Sequence, residues 1–354
     1  MGFVLPSFVH DLESNMRAIT ERAYDRLTAN LWWNRVAKST TLVSKKEVLT
    51  WLLDTAQIEY VNRLGGEVMF DSLVSASHSL EYKAATAGLT LNRFQMTDVV
   101  NGLPGGEAMD IAANWSRQIG AYMGYFPQKK IAELINDGEQ AGSTAYDGVV
   151  FFATTHPVNP FDSSLGNYAN LFTGAASGVY PGALPIDASV TVDEAIANIG
   201  KAIAYIENIK SPNGEDPRML RVKSILHPSA LNTRVQQITN AQVVAQDAPG
   251  GGGGGGNIEA VVRDWNFEQP IKATELGAGF TNGSDTSYYL VAEQITSDEL
   301  GALVWGEREP FGVQYHDTMS DAELDRANEL EWIVRGANVG QYGHPYLLFK
   351  CKST

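Results

Sequence analysis

The sequence predicts an α+β chain in which a long excursion separates the first helix from the main core. Three observations carry this prediction. Two stretches, 8–36 and 107–137, repeat apolar residues at helical spacing. Between them, residues 40–97 show no sustained helical period. From Tyr146 onward, short apolar segments alternate with capped helices. At 354 residues the chain exceeds the usual size of one compact domain, so two domains, or one with long excursions, are expected.

Each element has its own signature. In the first helix, Leu12, Met16, Ile19, Ala23, Leu27 and Leu31 form an apolar stripe with charges between them. Pattern alone fits both an arm that packs on something and an ordinary first core helix. Thr40–Leu53 and His78–Phe94 read as two extended ladders of one long hairpin. A hairpin of that length cannot bury both its faces within one subunit and needs a neighbour. Gly102, Pro104, Gly105 and Gly106 then mark a stop before the strongest helix, striped by Ala108, Ala112, Trp115, Ile119, Tyr122 and Phe126. Pro127 is expected to kink or split it, because its ring removes a helix hydrogen bond. Gly138 is a plausible end.

Tyr146-Asp147-Gly148 reads as a turn, Val149–Phe152 as a buried strand, and Pro157 and Pro160 as the next turn. Thr191 and Glu194 stand at capping-box spacing before the stripe Ile196, Ile199, Ile203 and Ile206. Met219–Leu226 reads as a strand turned by His227-Pro228-Ser229 into a helix with Leu231, Val235 and Ile238. Gly250–Gly256 is a run of seven glycines. It matches G-x-G-x-x-G only because any glycine run does, and no Lys-Ser or Lys-Thr follows, so it reads as a surface loop. Strands are expected at 288–292, 303–305, 331–335 and 346–351.

Composition excludes several functions. Hydrophobic residues make up 44% and charged residues 19%, with a formal net charge of −15. No dense Lys/Arg cluster is present. The pairs Lys45-Lys46 and Lys129-Lys130 stand alone, so a tight sequence-independent grip on nucleic acid is disfavoured. The one cysteine, Cys351, allows no intrachain disulfide. The N-terminus lacks a basic n-region, Pro6 spoils the acylation pattern that Gly2 suggests, and no apolar run has membrane-spanning length.

A search for catalytic and metal chemistry finds little. The histidines, His10, His78, His156, His227, His316 and His344, fit neither H-E-x-x-H nor zinc-finger spacing, and no G-x-S-x-G elbow occurs. Cys351 reads as a small apolar filler. Asp147 and His156 flank an apolar run and offer a metal or acid–base pair without a third ligand. Asp317, Asp321 and Asp325 read as a solvated helix face. No catalytic residue, cofactor or metal site is expected.

Tyr146, Asp147, Gly148, Phe151, Phe152, Thr155, His156, Pro157 and Val158 together resemble a segment of the major head subunit of Mu-like phages. The helix after Thr191, the polar turn at Ser211–Pro217 and the strand reaching Pro228 are similar too. So are Trp332–Arg335, Gly340, Tyr342, Gly343 and Pro345. The resemblance covers most of 100–350 in short motifs. The first hundred residues match it less well, and the glycine run is not part of the pattern.

The resemblance implies the Hong Kong 97-type capsid fold. The helical N-terminal arm would be 1–39, the extended loop with its flanks 40–97, and the spine helix of the peripheral domain 98–140. The axial domain would be 141–320, with 250–256 as a loop, and the return strands of the peripheral domain 321–354. It implies a major capsid protein of a tailed phage. Such subunits form pentamers and hexamers of an icosahedral shell that encloses double-stranded DNA without sequence-specific binding. Assembly in the bacterial cytoplasm is expected, with portal, decoration and scaffold proteins as partners. A separate scaffold is expected because the N-terminus shows no cleavable scaffolding segment. Gly65, Gly66, Gly88, Gly105, Gly106 and Pro127 are candidate hinges for non-equivalent positions. Two alternatives stay open: an encapsulin-like nanocompartment shell, and a soluble α/β hydrolase using Asp147 and His156.

Overall fold

The computed structural model describes residues 6–52, 75–92, 107–239, 265–296, 301–315 and 329–353. Gly65, Gly66, Gly105, Gly106, Gly250–Gly256, Asp317, Asp321 and Asp325 lie outside them.

Helix α1 (Pro6–Thr28) is shorter than the periodicity predicts. Its last residue, Thr28, turns its hydroxyl back onto the carbonyls of Tyr24 and Asp25, a local bond that competes with helix propagation. The chain then makes one 3-10 turn at Trp33–Arg35 and drops Trp32 into the core. Helix α2 (Glu107–Asp137) runs through Pro127 as one helix, so of the expected kink or split the split does not occur. Packing explains this: α1 lies along one side of α2, while Ile131 and Ile135 beyond the proline are fully buried in the core. Tertiary contacts thus outweigh the one lost hydrogen bond.

Strand β1 (Ala37–Thr41) is followed by the hairpin of β2 (Lys46–Leu52) and β3 (Ser75–Glu81), and then by β4 (Lys83–Asn92). The long strands β11 (Leu303–Tyr315) and β12 (Glu329–Tyr342) pair antiparallel. Together they form a sheet of order β1-β11-β12-β4. The segment expected to be one long hairpin is therefore divided. Only β2 and β3 pair with each other, while β1 and β4 complete the edges of the chain's own sheet. Thr41, Glu307, Asn338 and Lys83 form one row across it. The excursion between Thr41 and Lys83 thus leaves and returns at the same level on opposite edges. At its root, Leu42, Leu80 and Val304 make a small buried cluster of their own.

The second body is built on a five-stranded sheet. In chain order its members are β7 (Leu171–Phe172), β8 (Leu220–His227), β9 (Ile271–Lys272), β10 (Tyr288–Gln294) and β13 (Leu348–Cys351). Their spatial order is β7-β13-β10-β8-β9, with β8, β10 and β13 antiparallel and both edges parallel. Helix α3 (Val192–Glu207) packs on β8 with Ile196, Ile199, Ile203 and Ile206 inward, and α4 (Asn232–Thr239) packs on α3. The predicted capping box is present. Thr191 Oγ1 accepts from Glu194 N at 3.2 Å, and Thr191 N donates to Glu194 Oε2 at 2.8 Å. A separate hairpin, β5 (His156–Asn159) and β6 (Asp162–Tyr168), projects beside α3. One continuous core runs from Trp32 to Cys351.

The last strands are longer than their apolar runs. Pro310, Gly312, Gly336 and Gly340 interrupt the hydrophobic pattern, and register shifts around Glu309 absorb the proline. Val149–Phe152 is not the strand expected. It makes a single bridge, Thr144 to Val150, and then turns Phe151 and Phe152 inward.

Candidate assembly surfaces and the buried motif

The residues from Tyr146 to Val158 form a buried lock. Gly148 takes φ +79, which a glycine adopts without strain, and closes the turn by donating from its N to Ala145 O at 3.1 Å. Asp147 folds back so that Oδ1 accepts from Val149 N at 3.1 Å. Its Oδ2 lies 2.6 Å from His156 Nδ1, and both side chains are sealed from solvent. His156 Nε2 faces Phe151 O at 3.1 Å, and the ring stacks on Tyr168 with centroids 5.4 Å apart. Carbonyl oxygens only accept, so Nε2 donates. A second proton bridges Nδ1 and the carboxylate. Both ring nitrogens are thereby occupied, which leaves no atom for a metal or a substrate proton. The structure does bring Asp147 and His156 together, as a packing pair. Among the described residues no group of three or more His, Cys, Asp or Glu side chains could hold a metal.

The same carbonyl, Phe151 O, accepts from Asn170 Nδ2 at 2.6 Å, and Asn170 Oδ1 accepts from Ala153 N at 2.9 Å. Asn170 also donates to Pro345 O at 3.0 Å, which ties the lock to the C-terminal strands. Phe151 stacks on Tyr342, and Phe152 packs on Tyr289 and over Gly138. A Cβ at Gly138 would come within 2.5 Å of the Phe152 ring, so a glycine is needed where α2 ends. Pro157 is half-buried and Val158 buried in the same hairpin. Arg218 sits 3.9 Å over the Tyr346 ring. Burial pushes the Tyr146 hydroxyl up to about 12, with the Arg218 guanidinium opposing and the Asp147 carboxylate reinforcing the shift.

Two further junctions were not anticipated. Glu275 is a buried carboxylate that takes Gln128 Nε2 at 2.7 Å and Trp32 Nε1 at 3.4 Å, while Gln128 Oε1 accepts from Trp32 N at 3.0 Å. Asn136 Nδ2 donates to Glu275 O at 2.9 Å. Three segments far apart in sequence meet there, so spacing gave no signal. The second junction had one. Gly120 and Gly124, four apart on α2, face α1, where Gly120 meets Thr20 and Ala23 and Gly124 meets Thr28 and Tyr24. Small residues at that spacing let two helix backbones approach closely.

Of the candidate hinges that are described, Gly88 sits inside β4 opposite Ile333, and Pro127 sits inside α2. No described helix is long and apolar enough to cross a membrane.

Residues 9–181, just under half of the chain, match the family model described as "Mu-like prophage major head subunit gpT". The chain is a phage major capsid protein resembling the Mu-like head subunits. No curated protein matches this capsid protein in sequence. Solved structures match it across most of its length. The capsid of the cyanophage P-SCSP1u is 11% identical at a TM-score of 0.52, covering 91% of this chain and 88% of that one. The mature capsid of bacteriophage PhiM1 is 10% identical at 0.51, covering 91% and 87%. The procapsid of bacteriophage JBD30 is 15% identical at 0.47, covering 99% and 77%. The capsid protein has the Hong Kong 97-type fold that the sequence motifs imply. The match to the phage head family model favours a capsid over an encapsulin-like shell.

Proposed function

We propose that this capsid protein assembles into pentamers and hexamers that tile an icosahedral shell around packaged double-stranded phage DNA. One observation carries the reading: the β2–β3 hairpin extends from the level of Thr41 and Lys83 as a two-stranded ribbon outside both sheets. Val48 on it is 56% exposed. Two strands alone are marginal in water, so a neighbouring subunit is the natural support.

In this reading 1–39 is the arm, 40–97 the extended loop with its flanks, 98–140 the spine helix, 141–320 the axial domain and 321–354 the return of the peripheral domain. Gly65, Gly66, Gly88, Gly105, Gly106 and Pro127 serve as hinges between non-equivalent positions. The net charge of −15 supports an inner wall that encloses DNA without gripping it. The subunit works without catalysis, in the virion, after assembly in the bacterial cytoplasm with scaffold, portal and decoration proteins.

The test is electron microscopy and sedimentation of the full chain, expressed alone and together with the neighbouring head genes. Capsomers or closed shells of megadalton mass are expected. A monomer under both conditions would overturn the reading.

A further inference from the structure

We propose that the tip of the β5–β6 hairpin, Phe161-Asp162, docks into the groove between β6 and α3 of the next copy in a capsomer. The inference rests on the shell reading and names one contact within it.

The groove has a volume of about 880 Å³, enough for an aromatic side chain and its flanks. Leu165, Tyr168, Tyr180, Ala204 and Tyr205 line it, with Val179 on its rim 89% exposed. Its floor is fixed. Tyr205 Oη accepts from Ala169 N at 2.8 Å, and Tyr180 Oη accepts from Thr173 N at 2.8 Å and donates to Thr173 O at 2.7 Å. Lys201 and Lys210 flank it, both exposed and neither ion-paired with a described residue. In a chain with 41 acidic and 26 basic side chains, two such lysines beside an apolar slot select an acidic, apolar visitor.

The same chain presents such a visitor. Phe161 is 67% exposed, and Asp162 is exposed beside it. The tip is held in shape before any contact: Phe161 N donates to Asn159 Oδ1 at 2.9 Å, and Ser164 N donates to Asp162 Oδ1 at 2.9 Å. Asn159 in turn donates to Pro212 O at 3.2 Å. The bonds from Ser164 hold the Asp162 carboxyl below the usual range, so it stays charged near neutrality. An aromatic anchor on a rigid turn loses little entropy on docking. Knob and groove are different patches, which makes the contact heterologous, the type that closes rings.

The experiment uses full-length chains under the conditions in which the wild type forms particles. Cys351 is fully buried, so introduced cysteines report alone. Pro160→Cys chains, which keep Phe161 and Asp162, co-assembled with Ala204→Cys chains should give an oxidised dimer that neither gives alone. A chain carrying both changes should give a ladder that ends at the capsomer. Lys201→Glu should lower particle yield by about tenfold or more, and Asp162→Lys on the same chain should restore it. Where the wild type forms particles, cysteine-variant particles with no crosslink between the two positions, or Lys201→Glu particles at full yield, would overturn the knob and groove while leaving the shell intact. A wild type that never forms particles would fail the shell reading first.

Discussion

Gly120 of α2 passes so close to Thr20 of α1 that a Cβ on the glycine would stand 2.3 Å from the Thr20 carbonyl oxygen. In a solvated helix, glycine to alanine stabilises by roughly 0.5–1 kcal/mol. Here the sign reverses. Gly120→Ala should destabilise by about 1–3 kcal/mol, because a backbone atom must yield. Thermal unfolding gives the magnitude, and faster hydrogen exchange confined to α1 locates it. A stabilised variant would refute the close contact.

The Asp147–His156 pair predicts a non-additive result. Asp147→Ala leaves His156 Nδ1 buried without its partner, at a cost of about 3 kcal/mol. Adding His156→Phe removes the orphaned group and should recover part of that loss. Denaturant titration of both variants measures the coupling. Strict additivity would show that the two side chains act independently.

Glu139 holds two lysines. Its Oε1 lies 2.7 Å from Lys350 Nζ and its Oε2 lies 2.6 Å from Lys352 Nζ. Burial alone would raise its carboxyl, but the hydrogen bonds and charges of both lysines hold it below the usual range. A depressed carboxyl contributes stability above its unfolded value, near 4.5, and that stability is lost as pH falls toward the folded value. Glu139→Gln should therefore cost roughly 2–3 kcal/mol at pH 7, since Lys350 stays buried without its anion. The gap from wild type should close in acid. A gap independent of pH would argue against the pair.

Histidines make the fold acid-sensitive in a higher window. Burial lowers His78, His227 and His344, the last to about 3 with the Arg218 charge adding to the effect. Below the unfolded value near 6.5 the unfolded chain binds protons that the folded chain refuses. Stability is thus complete above pH 6.5 and falls as pH drops toward 3. Every tenfold difference in proton affinity between the unfolded and folded chain is worth about 1.4 kcal/mol. His344→Phe should flatten the loss between about pH 6.5 and 4.5 in chemical denaturation. An unchanged slope would reject His344 as its source.

Where one residue pattern decides a structure, the sequence is readable. Thr191 and Glu194 cap α3, the isoleucine stripe faces inward, and Gly138 ends α2 as its spacing suggests. The Tyr146–Val158 motif carries the resemblance to the Mu-like head subunits in its residues alone. What could not be read are the meetings of distant segments. Glu275 with Gln128 and Trp32, and Asn170 with Pro345, have partners set by the folded chain and not by local spacing. The unbroken passage of α2 through Pro127 belongs with them, because long-range packing overrode a local rule. So does the capture of β1 and β4 by β11 and β12.

That capture has a mechanical consequence. From the row of Thr41, Glu307, Asn338 and Lys83, β1 lies back along β11 toward Leu303, while β4 lies forward along β12 toward Glu329. A tug on the β2–β3 ribbon along the strands, in either direction, loads one of these edges in shear, where all the rungs share the strain. A sideways tug loads the rungs nearest the row first, as a zipper opens. A neighbour that pulls lengthwise on the ribbon is held by the whole sheet, and one that lifts it can peel it free.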